Sequence, residues 1–123
     1  MVVVNYALEL GNSAALDAFD GITHMAFGDD NTAIDQTQTA LISELLRVSL
    51  KSKSKDTVNN EHTFIGAVPI TQLNSDSIYE IGLFNASSGG LMAARLVLDN
   101  AITKTSSEEI VFELKIQVNT ENT

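Results

Sequence analysis

Apolar and polar residues alternate most regularly near the C-terminus. Ile110, Phe112, Leu114, Ile116 and Val118 fall on one side of the chain and Val111, Glu113, Lys115 and Gln117 on the other. A period of two predicts a strand with one buried and one wet face. Upstream, Ile78, Tyr79, Ile81, Leu83 and Phe84 face Leu91, Met92, Leu96, Val97 and Leu98 across "NASSGG", whose Ser88, Gly89 and Gly90 suit a tight reversal. This predicts a β-hairpin. Ile22 to Gly28 also alternates and ends in a polar turn, and "EHTFIGAVPI" gives a further strand that the single proline, Pro69, confines to a sheet edge or a strand end.

Two segments carry a different period. Leu8, Ala15, Leu16 and Phe19 approach helical spacing, with Asn12 and Ser13 as candidate caps for a helix over Tyr6 to Phe19. Gly11 interrupts it, which leaves open a division into a strand over Val2 to Tyr6 and a shorter helix from Ser13 to Phe19. Leu41, Ile42, Leu45 and Leu46 predict one or two helical turns, followed by a strand through Val48 and Leu50. The expected fold is mainly β, an antiparallel β-sandwich or half-open barrel with one or two short helices in the N-terminal third, built as a single domain over residues 1–123.

Composition narrows the chemistry. A chain of 123 residues that is 44% hydrophobic can bury one core without cross-links, and zero cysteines exclude disulfides, thiolate metal sites and a cysteine nucleophile. A net charge of −9 disfavours nucleic acid as the main ligand. No leader peptide and no run of apolar residues sufficient for a membrane span is visible, so no membrane partner is expected.

His24 and His62 stand apart without neighbours at metal-ligand spacing, and Asp29, Asp30, Asn31 and Asp35 lack the order of a calcium loop. There is no G-x-S-x-G elbow or phosphate-binding glycine loop, and the adjacent pairs Asp29–Asp30 and Glu108–Glu109 suit a solvated surface. Hence no catalytic, cofactor or metal residue is assigned. Arg47 and Arg95 each lie among apolar residues and call for a buried acid such as Glu80, a structural pairing. Lys51, Lys53 and Lys55 share one face of a strand, as an edge that discourages pairing or as a patch for an acidic neighbour.

The segments "GDDNTAIDQTQTALISELLRVSL", "IYEIGLFNASSGGLMAARLVL" and "ITKTSSEEIVFELKIQV" resemble a domain of virion structural proteins in tailed bacteriophages and related prophage elements. The resemblance covers about Ile22 to Val118. It is carried by Glu80, Gly82, Leu83, Phe84, Asn85, Ala86, Ser88, Gly89, Gly90, Met92, Ala94, Arg95, Ile102, Thr103, Lys104 and Thr105. It implies a non-enzymatic virion part, made in the host cytoplasm, that contacts other virion proteins and assembles as a homo-oligomer, with a trimer favoured. A tail-fibre or baseplate-associated adaptor is one expected role and a capsid decoration or turret protein the alternative; a β-domain without a following shaft suits either better than a whole fibre. A carbohydrate-binding adhesion module is disfavoured by the absence of tryptophan and the few aromatic residues. The candidate interface residues are Ser87, Ser88, Gly89 and Gly90 at the hairpin tip, with Lys51, Lys53 and Lys55.

Overall fold

The computed structural model describes residues 2–10, 21–34, 38–59 and 61–118, with side-chain burial defined over 21–34, 38–59 and 61–116. Eight strands follow one another: β1 (Val2–Leu10), β2 (His24–Gly28), β3 (Glu44–Ser49), β4 (Ser52–Asp56), β5 (Glu61–Val68), β6 (Ser77–Phe84), β7 (Met92–Thr103) and β8 (Ile110–Val118). They form two four-stranded sheets, ordered β1-β8-β5-β4 (sheet A) and β3-β2-β6-β7 (sheet B). Sheet B is antiparallel throughout. Sheet A is antiparallel except for β1, which runs parallel to β8 with Val2 opposite Ile110.

The alternation that marked the strands is the alternation that fills the core. Met25 and Phe27 of β2 and Ile81 and Leu83 of β6 meet Phe64 and Val68 of β5 and Phe112, Leu114 and Ile116 of β8 in one buried cluster shared by both sheets. Phe27 and Phe112 touch with ring centroids 4.9 Å apart and planes tilted by 41°. Gly66 lets the layers close: a Cβ there would lie 2.8 Å from the Met25 sulfur. Pro69 immediately follows β5, at the strand end where its missing N–H breaks no ladder.

The segment from β3 to β4 serves both sheets. Through β3 its backbone bonds to β2; Leu50 then donates to Thr23 O at 3.0 Å and Lys51 to Ile65 O at 2.7 Å, and β4 continues along β5. One continuous run of chain therefore forms the edge of sheet B and then the edge of sheet A.

The expected helical content requires correction. No helix occurs among the described residues. β1 spans Val2–Leu10, so the strand of the alternative reading, Val2 to Tyr6, is present and runs four residues further than expected, while the helix expected over Ser13 to Phe19 lies outside the described residues. Leu41 to Leu46, expected to make helical turns, instead bends and enters β3. Leu41 is buried, Ile42 and Leu45 are exposed and Leu46 packs on the core, so these side chains serve three environments rather than one helical stripe. Pairing with β2 overrides the local spacing.

Phe112 is fully buried at the centre of the shared cluster. Phe112→Ala should destabilise the fold by about 3–5 kcal/mol, read as a lowered urea midpoint with little change in slope.

Candidate functional site

On β6 the core-facing Ile81 and Leu83 alternate with Glu80, Gly82 and Phe84, which project from the opposite face of sheet B. That outer face is not left to solvent. Residues 29–34 and 38–43 lie against it, and Glu80 and Arg95 hold them there through Asp30, Thr32, Gln38, Ile42 and Ser43. Glu80 is fully buried; its Oε1 accepts from Ile42 N at 3.0 Å and Arg95 Nε at 2.9 Å, and its Oε2 from Ser43 N at 2.8 Å and Asp30 N at 3.3 Å. Each carboxylate oxygen thus has two donors.

Arg95 is spent in the same way. Its Nη1 donates to Thr32 O at 2.9 Å and Gln38 Oε1 at 3.3 Å, and its Nη2 to Asp30 O at 3.4 Å, with the Asp30 carboxylate 3.9 Å away. The expected pairing of Arg95 with Glu80 is therefore present. Gly28 makes room for it, since a Cβ there would overlap the Glu80 carboxylate and the Ser43 carbonyl. Beside the pair, Ala26, Leu41 and Phe84 form a second small buried cluster, closed by Met92.

Arg47 anchors the other end. It does not reach Glu80. Its guanidinium lies 3.7 Å from the centre of the Phe84 ring and grips Glu44 through two bonds of 2.7 and 3.0 Å. Its Nη1 donates to Ala86 O at 3.0 Å and Gly89 O at 2.8 Å, which ties the hairpin tip to β3. The tip closes through Leu91 N to Asn85 Oδ1 at 2.8 Å and through Gly89 and Gly90 at φ of +60° and +73°, conformations glycine adopts without strain.

The candidate interface residues fall into two unconnected sets. Ser87, Ser88, Gly89 and Gly90 are exposed at the tip of sheet B, with the Gly89 carbonyl committed to Arg47. Lys51, Lys53 and Lys55 are exposed along the edge of sheet A. They are not free cations: Lys51 pairs with Glu109 at 3.3 Å, Lys53 donates to Ile22 O at 3.0 Å, and Lys55 is engaged within the chain as well.

His24, beside Thr23 and Ser49, and buried His62, stacked on Phe64, lie in different sheets. Among the described residues no three metal-ligating side chains converge. Hydrogen bonds from the Thr32 side chain and backbone hold the half-buried Asp30 carboxyl below its ordinary range, and those from Asn59 do so for Asp56 at the β4–β5 turn.

Sequence reasoning missed Lys104. Its side chain is fully buried, and its ammonium group donates to Ile70 O at 2.8 Å, Asn74 Oδ1 at 2.5 Å and Thr105 O at 3.1 Å, so all three protons are used. It fastens the loop before β6 to the end of β7. The only prior sign was its place in the "ITKT" motif. No protein-family model, curated protein sequence or solved structure matches this chain.

Arg95→Met would leave the Glu80 carboxylate buried without its cation. Stability should fall by about 3–5 kcal/mol in urea denaturation, and the amides of Asp30, Ile42 and Ser43 should lose hydrogen-exchange protection before the core strands do. The two aspartates predict a pH effect of definite sign. Their folded values lie below the ordinary aspartate value of 3.8, so their contribution is present above that pH and fades as pH falls through the lowered folded values. Asn59→Ala should move the Asp56 midpoint back up toward 3.8, as followed by NMR titration of its side-chain carboxyl.

Proposed function

We propose that this chain is a non-enzymatic structural protein of a tailed-bacteriophage virion, a fibre- or baseplate-associated adaptor whose two sheets form a β-sandwich and which assembles as a homotrimer with other virion proteins as partners. The observation that carries the reading is the hairpin motif. Several residues behind the resemblance fix the outer face of sheet B: Glu80 and Arg95 hold the crossing segment, Gly82 leaves space for Leu41 and Phe84, Asn85 and Gly90 close the tip, and Met92 covers the small cluster.

The chemistry of this network supports a structural role. Glu80 has no oxygen lone pair left for a substrate, and Arg95 has its donors directed at backbone and side-chain oxygens of the same chain. What the face offers a partner is a fixed shape.

Quantitative mass spectrometry of purified particles tests the reading. A few copies per particle, in a multiple of three, are expected for the adaptor. Abundance near that of the major capsid protein would replace the tail role with capsid decoration, and absence from particles would refute the virion role.

A further inference from the structure

We infer that copies of this chain join through the two edges of sheet B, strand β7 of one copy pairing antiparallel with strand β3 of the next to continue the sheet across the boundary. The inference rests on the homo-oligomeric reading above and names the surfaces that would carry it. Among the described residues β7 pairs only with β6 and β3 only with β2, so each offers a row of backbone donors and acceptors on its outer side.

Charge singles out these edges. Repulsion opposes self-association in a chain of net charge −9 unless the contact surfaces are locally neutral. From Met92 to Leu98 the only charged residue is Arg95, withdrawn onto Glu80. On β3 the two charged residues, Glu44 and Arg47, neutralise each other at 2.7 Å. The β4 edge of sheet A, by contrast, carries Lys51, Lys53 and Lys55 at or beside a five-residue strand exposed along its whole length. Lysines of that kind discourage strand addition.

Strand polarity agrees. β3 is antiparallel to β2, β2 to β6, and β6 to β7, so β3 and β7 run in opposite directions. Copies arranged side by side around an axis along the strands bring β7 against the next β3 in antiparallel sense. The same arrangement in sheet A would set β1 parallel to β4. β7 pairs regularly with β6 over Ala94–Val97, between a register break at Ala93 and another opposite Tyr79, and this stretch holds both Ala94 and Leu96. Leu46 and Val48 on β3, and Ala94 and Leu96 on β7, are half-buried against the shared core, so a register that keeps core side to core side sets Val48 opposite Ala94 or its neighbour two residues away.

A contact between two different edges is heterologous and closes into a ring when the rotation between copies divides a full turn. The cysteine-free chain gives a clean background for testing it. Full-length chains carrying Val48→Cys with Ala94→Cys, and Val48→Cys with Leu96→Cys, would be oxidised and resolved on denaturing gels beside each single-cysteine variant and Ser87→Cys. The expected result is a disulfide-linked ladder up to trimer from at least one double variant and no cross-linking from any single one, with the reduced proteins matching the wild-type mass by light scattering.

Dimers from Ala94→Cys or Leu96→Cys alone would overturn the proposal in favour of a two-fold β7–β7 contact. Dimers from Ser87→Cys alone would move the contact to the hairpin tip. An oligomer that none of the pairs cross-links would refute the edge assignment and leave the homo-oligomer standing, whereas a monomer by light scattering would refute the homo-oligomer itself.

Discussion

A carboxylate with no solvent exposure governs the outer half of this molecule. Removing an ion pair from water carries a penalty of several kcal/mol per ion, and the pair persists only where the remaining lone pairs and protons are all engaged. Glu80 meets that condition through one guanidinium and three backbone amides, and the amides come from a segment far away in sequence. The segment and the hairpin are therefore conditions for one another. Without Asp30, Ile42 and Ser43 in place the carboxylate would lack three donors, and without the carboxylate their amides would lose their acceptor on the sheet.

Glycine placement follows from the same constraint. Gly28 is in a strand, where its entropy and missing side chain weaken the ladder, yet any larger residue would displace the Glu80 carboxylate. Gly82 clears a space filled by Leu41 and Phe84, where a Cβ would lie 2.9 and 2.8 Å from their side-chain atoms. Arg47 then covers Phe84 and draws in the tip carbonyls. The anchor at Glu80 and the anchor at Arg47 thus meet through one aromatic ring.

How much of this was legible in the sequence depended on how local the deciding force was. β8 and the β6–β7 hairpin were readable because a period of two and a Gly-Gly tip are local signals. The Glu80–Arg95 pair was readable because a charged residue inside an apolar strand needs a partner of opposite sign, and Glu80 stands in the facing arm. Leu41 to Leu46 was misread because its spacing fits a helix until β2 supplies a ladder. The parallel pairing of β1 with β8 joins opposite ends of the chain and leaves no local trace. Lys104 could not be placed either, since no pattern distinguishes a lysine surrounded by three oxygens of its own chain from one in water.

The run from β3 into β4 makes the flanks of the molecule chemically unlike. One continuous segment carries a neutralised Glu44–Arg47 pair along sheet B and then a row of lysines along sheet A. The opposite edge of sheet B, β7, keeps its arginine inside and presents small and aliphatic residues over Met92–Leu98, ahead of exposed Asp99 and Asn100. Both arginines of sheet B are consumed in fixing its outer face, and that consumption removes the charges that would otherwise guard its edges. The interactions that give the hairpin its shape thus leave sheet B, among the described residues, with two edges of opposite strand direction whose charges are spent within the sheet.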